Sequence, residues 1–213
     1  MDNKLIELSR INPSELSEQQ KKEIFDRTNA LLQKIDRDTQ HIVSDRHAID
    51  KTISRLEALV RLREKLDKES LKLIFSMQAM IDKEGSSEQI KKEAENIEKQ
   101  SKKIKSDKAK VDSHIFSLSQ QVHQRIPSLI KNYEEYLPSL QSYIFVNDLL
   151  KQHMEKSRKR MDIKKGAYGR EDLEAQIDYL SEKIKLLESE REKNMKVLGL
   201  LIDFTADGGK RLF

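Results

Sequence analysis

The histidines are the first side chains to consider as catalytic groups or metal ligands in this chain of 213 residues. Five are present, at positions 41, 47, 114, 123 and 153, and cysteine is absent. His41 and His47 are six residues apart, which would place them on different faces of a helix. No histidine has the His-x-x-x-His or Glu-x-x-His spacing with which helices bind metals. We therefore expect surface histidines, with no metal site and no cofactor.

The glycines and carboxylates give no clear sign of catalysis. Gly166 and Gly169 are not followed by a Lys-Ser/Thr pair, and no β-strand is predicted before them, so a phosphate-binding loop is not indicated. A turn between two helices is the simpler interpretation. An acid/base pair of carboxylates would need a cavity to perturb its pKa values, and a thin helical bundle offers few cavities. The sequence therefore predicts a protein that is not an enzyme.

Residues 151–170 concentrate positive charge. This segment has eight Lys and Arg against two acidic residues, whereas the whole chain has a net charge of +4. Cations at a helix C-terminus complement the helix dipole, which is the simplest explanation. The candidate binding residues are Lys156, Arg158, Lys159, Arg160, Lys164, Lys165 and Arg170.

Three anionic partners could also explain this charge: an anionic membrane surface, an acidic protein and nucleic acid. Nucleic acid ranks last, because Tyr168 is the only aromatic residue of the segment that could stack on a base. The choice between a partner and a solvated helix end stays open at this point.

A second candidate binding element comprises Arg211, Leu212 and Phe213. A basic residue followed by Leu-Phe suits docking into an apolar pocket of another protein. Alternatively, Leu212 and Phe213 fold back onto the apolar residues at 200–204.

The composition shows which elements could present these residues. Charged residues make up 37% of the chain and hydrophobic residues 36%, and 41 basic residues nearly cancel 37 acidic ones. High charge of both signs, with only six glycines and three prolines, is typical of long helices with narrow apolar stripes. No signal peptide and no apolar run long enough to span a membrane is recognisable, so we expect a soluble, cytoplasmic protein.

Apolar residues that recur every seven positions predict the individual helices. Asn12-Pro13-Ser14-Glu15 has the residue types of a helix start with a capping box. The heptad row that follows shifts near residues 56–60 in the manner of a stutter, and Gly85-Ser86-Ser87 ends it. The predicted helix seam comprises Ile35, Ile42, Ile49, Leu56, Ile90, Ile97, Ile104, Val111, Leu118, Leu173, Ile177, Leu180, Ile184 and Leu187.

The predicted fold is all-α: an elongated antiparallel helical bundle or coiled coil of three to four long helices, at about 13–83, 87–126, 128–164 and 170–203. The middle arm is expected to kink near Pro127 and Pro138. Residues 1–12 would form a lead segment, 13–204 the bundle and 205–213 a flexible tail. The stretch from Ile126 to Leu150 is the most apolar, so it should form the thickest part of the core.

This fold favours a function in protein–protein interaction. The narrow stripes, and Lys108 on the seam, suggest that a partner protein or a second copy in a homodimer covers the remaining apolar surface. The sequence therefore favours a coiled-coil scaffold, adaptor or tether that acts through helix–helix association. The first alternative is a peripheral membrane-binding bundle that uses the basic segment. The second is a secreted helical effector or toxin component.

Overall fold

The structure, a computed structural model, describes residues 3–81, 87–163 and 170–206. Four helices account for nearly all of these residues: α1 (Asn3–Arg10), α2 (Glu18–Ile81), α3 (Ser87–Ile163) and α4 (Arg170–Ala206). The described ranges contain no β-strand. The predicted all-α helical bundle is confirmed.

The chain divides into two compact units. Unit 1 comprises Met1–Asp45 and Ile126–Phe213, and unit 2 comprises Arg46–Arg125. Unit 1 therefore contains α1, α4, the first part of α2 and the last part of α3. Unit 2 is a pair of helices, formed by the rest of α2 and the first part of α3.

The start of α2 differs from the prediction, because the capping box is formed by other residues. Asn12 Oδ1 accepts hydrogen bonds from the backbone N–H of Ser14 at 3.2 Å and from its hydroxyl at 2.9 Å, so Asn12 stabilises a turn and not the helix. The box lies between Ser17 and Gln20: the Gln20 N–H donates to Ser17 Oγ at 3.2 Å, and the Ser17 N–H donates to Gln20 Oε1 at 2.9 Å. The helix therefore begins at Glu18 and not at residue 13.

The break predicted between residues 126 and 128 is absent, because α3 is one continuous helix through Pro127 and Pro138. Both prolines lie on the exposed face of α3. Each proline frees the carbonyl four residues earlier, and on this face water can satisfy it. On the opposite face Ile126 and Leu129 are buried, which stabilises the helical path across the first proline. The last helix, α4, ends at Ala206, three residues beyond the predicted end.

Residues 1–12, predicted as a lead segment, contain helix α1. Leu5 and Leu8 of α1 are buried, and their spacing of three places them on one face of the helix. Lys4 Nζ lies 2.8 Å from the carboxylate of Glu23 on α2. The ring of His153 on α3 bonds to the backbone carbonyl of Ser9 at 3.0 Å. The first helix is thus fixed to both α2 and α3.

The core of unit 1 is built around the tyrosines of α3. Tyr133 and Tyr136 are almost fully buried, and the Tyr136 hydroxyl donates a 2.6 Å hydrogen bond to Glu190 Oε1 on α4. Lys183 Nζ of α4 donates to the Tyr143 hydroxyl at 2.6 Å. These bonds fix the position of α4 along α3. The other buried apolar residues here are Ile35 and Ile42 on α2, Ile126, Leu129, Leu140, Ile144 and Val146 on α3, and Ile177, Leu180 and Ile184 on α4.

The capping box leads to a stability prediction. Replacement of Ser17 by Ala removes the acceptor for the Gln20 N–H, so the free energy of unfolding should fall by about 1 kcal/mol. Chemical denaturation followed by circular dichroism measures this change. The matched control is Ser44→Ala, at an exposed position in the interior of α2, where Ala should be neutral or slightly stabilising. Equal losses for both variants would contradict the assigned helix start.

A second prediction concerns stability in alkali. Burial, and then the hydrogen bond to the Glu190 carboxylate, raise the pKa of the Tyr136 hydroxyl above its ordinary value of about 10. The folded state therefore favours the protonated phenol. Its contribution to stability is fully present below the unfolded-state pKa and is lost as the pH rises from about 10 through the folded-state pKa.

We expect Tyr136→Phe to flatten the decline in melting temperature above about pH 10. The control Tyr179→Phe changes a tyrosine that is 64% exposed and should keep the wild-type decline. A wild-type slope in Tyr136→Phe would show that this hydroxyl does not titrate as described.

Candidate interaction surface on unit 2

The structure describes only part of the basic segment. Lys156 and Lys159 are exposed on the last turns of α3, and Arg158 is half-buried. Lys151 lies 3.9 Å from Glu155. The side chains of Arg160 and Arg170, and all of Lys164, Lys165, Arg211, Leu212 and Phe213, lie outside the described residues.

The histidines form no cluster in the described ranges, where no group of three or more His, Asp and Glu could hold a metal ion. His123 Nδ1 bonds to the Ser119 carbonyl at 2.8 Å within its own helix, and His153 holds α1. None of the described helices is long and apolar enough to cross a membrane.

An apolar cavity of about 370 Å³ lies in unit 1 between α1, the start of α2 and the end of α3. Its walls include Ile11, Leu16, Ile24 and Val146. The Asn147 amide, a polar group in this wall, donates to the Tyr143 carbonyl at 2.7 Å. The Asn147 amide and the His153 ring are already bonded to the chain itself, whereas the buried Ser9 hydroxyl in this wall has no hydrogen-bond partner among the described residues. A ligand pocket normally offers several polar groups aimed at the ligand, and one hydroxyl makes this cavity a weaker candidate site than the outer surface of the helices.

The predicted seam residues are buried to different extents in the two units. Ile177, Leu180 and Ile184 of α4 are buried in unit 1, as are Ile35 and Ile42 of α2. In unit 2, Ile49, Leu56 and Val111 are buried, whereas Ile90, Ile97, Ile104 and Leu118 of α3 are half-buried. Leu173 and Leu187, near the two ends of the α4 row, are also half-buried.

A group of four charged residues sets the register of the two helices in unit 2. Asp67 on α2 accepts from Lys108 Nζ at 2.5 Å and from Arg63 Nη1 at 2.6 Å. Arg63 Nε also donates to Asp112 Oδ1 at 2.8 Å. Residue 63 thus lies opposite 112 and residue 67 opposite 108, so the helices are antiparallel. Lys108 has its counterion within the chain, which removes it as an argument for a second protein.

The electrostatics of this group favour the ionised carboxylate. The hydrogen bond from Lys108, and then the charge of Arg63, hold the pKa of Asp67 below its ordinary value. The Asp112 carboxylate raises the pKa of Arg63 in the same way. The register is therefore maintained at neutral pH and weakens as the pH falls through the lowered pKa of Asp67.

The two helices differ in apolar content beyond this group. Residues 70–81 of α2 include eight apolar residues and a single charged one, Lys72. With the same register, they face residues 94–105 of α3, whose apolar residues are Ala94, Ile97 and Ile104. Such a partner is too polar to cover α2. Leu71 is consequently 53% exposed, Ile74 48% and Phe75 65%.

These exposed residues border a groove between the helices. Leu71, Ile74 and Phe75 follow Asp67 by four, seven and eight residues, so they lie on its side of α2. On α3, Ser101 and Ala94 precede Lys108, the partner of Asp67, by seven and fourteen residues, and both are exposed. In this register Ile74 lies opposite Ser101, and Ala94 lies about 10 Å further along α3, opposite residue 81. We call this surface, formed by these five residues, the hairpin groove.

The edges of the hairpin groove are basic. Lys68 and Lys72 precede Phe75 by seven and three residues on α2, and Lys105 follows Ser101 by four on α3. All three lysines are exposed, and within the described part of the chain none of them makes an ion pair. Of the carboxylates beside the groove, Asp67 is paired with Lys108 and Glu98 with Lys102, the latter at 2.6 Å. The groove therefore suits an apolar surface flanked by acidic residues.

Comparisons with protein-family models, with curated proteins and with solved structures found no match to this chain. The function must therefore be argued from this surface.

The charged group gives a direct test of the register. Lys108→Gln removes the largest cause of the lowered Asp67 pKa, so that pKa should rise toward its ordinary value. Titration of side-chain carboxyl groups by ¹³C NMR measures it. The control Lys102→Gln removes a lysine that pairs with Glu98 and should leave the titration of Asp67 unchanged. An unshifted Asp67 in Lys108→Gln would refute the register.

Proposed function

We propose that the protein is a non-enzymatic interaction protein that acts through helix–helix association, and that the hairpin groove is the surface on which it binds a further helix. The observation that carries this proposal is the exposure of Leu71, Ile74 and Phe75 on a helix stretch that contains one charged residue. A helix that is apolar on most sides is normally covered on most sides. In unit 2, α3 covers α2 on one side only.

Unit 1 provides an internal comparison. There α4 lies on α3, and the apolar row of α4 is buried together with the tyrosines of α3. Unit 2 consists of two helices, and three of its predicted seam residues, Ile90, Ile97 and Ile104, are half-buried. The groove has large side chains on one wall and small ones on the other, which suits interdigitation with the side chains of a third helix.

The energetic gain from such a helix is substantial. Complete burial of a Leu, Ile or Phe side chain contributes roughly 1.5–3 kcal/mol, and the three residues are each about half exposed. Covering them therefore gains a few kcal/mol before the cost of association. The basic edges add selectivity, because they favour acidic helices over basic ones.

This proposal corresponds to a scaffold, adaptor or tether. The proposal takes no support from the basic segment at 151–170, where the side chains of Arg160, Lys164, Lys165 and Arg170 lie outside the described residues.

Site-specific crosslinking tests the proposal. A photoreactive phenylalanine analogue at position 74 should crosslink to a helix at least about ten times more efficiently than the same analogue at the exposed position 114 of α3. Both variants are illuminated as pure protein and in extracts of the cells that produce it, and peptide mapping by mass spectrometry locates the crosslinked residue.

Crosslinks from position 74 to the apolar face of a helix support the proposal, whether that helix belongs to this chain or to another protein. Equal, weak crosslinking from positions 74 and 114 under both conditions would refute it.

A further inference from the structure

We infer that the hairpin groove binds the outer face of α4 from a second copy of the chain, so that the protein is a homodimer in which α4 has two binding faces. This inference rests on the proposed function, because it names the helix that the groove binds.

A second apolar row runs along the solvent side of α4. Tyr179 and Leu186 are one heptad apart, and Leu200 follows two heptads later on the same face, with Lys193 at the position between them. Tyr179, Leu186 and Leu200 are 64%, 72% and 69% exposed. The inner face of α4 is already occupied, because Ile177 and Ile184 are buried in unit 1. This outer row, which we call the outer face of α4, has no role in the core of unit 1.

The charges around this face complement those of the groove. Residues 170–190 of α4 contain seven acidic and three basic residues. Asp178 is adjacent to Tyr179, and Glu182 lies between Tyr179 and Leu186 on the same side of the helix. Both carboxylates are exposed. The groove offers Lys68, Lys72 and Lys105 at its edges, which complement these two carboxylates. Of the lysines on this side of α4, Lys183 donates to the Tyr143 hydroxyl, and Lys193 lies one heptad beyond Leu186.

The spacing of the two surfaces also agrees. Tyr179 and Leu186 are one heptad apart, or about 10.5 Å along the helix axis. The small residues Ala94 and Ser101 have the same separation on the α3 wall of the groove. Two large side chains of α4 can therefore lie over two small side chains of α3. The one over Ser101 would contact Ile74 and Phe75 on the α2 wall, whereas the one over Ala94 would lie beside residues 77–81 of α2.

A second copy explains both surfaces with one contact. Groove and outer face are each exposed in a single chain, and burying one against the other covers Ile74 and Phe75 of the groove together with Tyr179 and Leu186 of α4. Among the described helices, α4 combines an exposed apolar row with heptad spacing and an excess of acidic residues. In a reciprocal dimer the contact occurs twice, which helps two modest surfaces to reach the roughly 800 Å² per partner of a stable interface.

Charge reversal on each surface tests the inference. The groove variant is Lys68→Glu/Lys72→Glu/Lys105→Glu, and the α4 variant is Asp178→Lys/Glu182→Lys. Light scattering during gel filtration should give twice the 24.9 kDa chain mass for the wild type. Each variant alone places like charges in contact and should raise the dissociation constant at least about tenfold. An equal mixture of the two variants should associate again, because the reversed charges are once more complementary.

The matched control reverses three cations on the other sides of the same helices: Arg55→Glu/Lys99→Glu/Lys103→Glu. These residues are exposed, and the net charge changes as in the groove variant. The control should remain dimeric, and circular dichroism should show wild-type helix content in all variants, because every altered side chain is exposed.

Three outcomes would overturn the inference: a monomeric wild type at about 100 μM, well above a typical specific dissociation constant; a dimer that the groove and α4 variants leave intact; or a mixture that fails to reassociate. A monomer whose residue 74 crosslinks to an apolar helix face of another protein would refute the second copy and leave the proposed function standing.

Discussion

The structure depends on one constraint: α2 is a single helix of 64 residues whose apolar side chains cannot be buried by α2 alone. Each part of the chain covers these side chains by different means. In unit 1, α1, α3 and α4 contribute buried residues around α2, and hydrogen bonds from Tyr136 to Glu190 and from Lys183 to Tyr143 hold α4 in place. In unit 2, α3 is the partner, and the Asp67 group sets its register. The difference in cover explains why the exposed apolar stretch of α2 lies in unit 2.

Periodicity predicted the three long helices and most of their inward faces, because apolar residues repeat every seven positions along each of them, but it did not indicate α1. It did not give the helix boundaries. Asn12 and Ser17 both have residue types suited to an N-cap, and the choice depends on Gln20, which reaches back to the Ser17 N–H. The prediction of a break at Pro127 failed for a related reason. The cost of a proline depends on which way it faces, and that face becomes evident only when Ile126 and Leu129 are seen to be buried.

The candidate site was harder to predict than the fold because it depends on pairs of residues far apart in sequence. From the sequence alone, Lys108 is a polar interruption of the seam, because its counterion, Asp67, is 41 residues away along the chain. Once this pair defines the register, the sequence shows that residues 70–81 are rich in apolar side chains and that the facing residues 94–105 are mostly polar. The heptad spacing of Tyr179, Leu186 and Leu200 can also be read from the sequence. It was overlooked because the apolar row through Ile177 and Ile184 already accounted for the predicted packing of this helix.

The basic edges of the hairpin groove also limit which surfaces can associate. Two copies could in principle bury Leu71, Ile74 and Phe75 against the same residues of each other. That arrangement brings the lysines at 68 and 72 of one copy near those of the other, and such like-charge contacts are unfavourable across an interface. The outer face of α4 avoids this cost because its carboxylates replace the second set of lysines. The same charges that keep an exposed apolar groove from associating with itself thus favour an acidic helix as its partner.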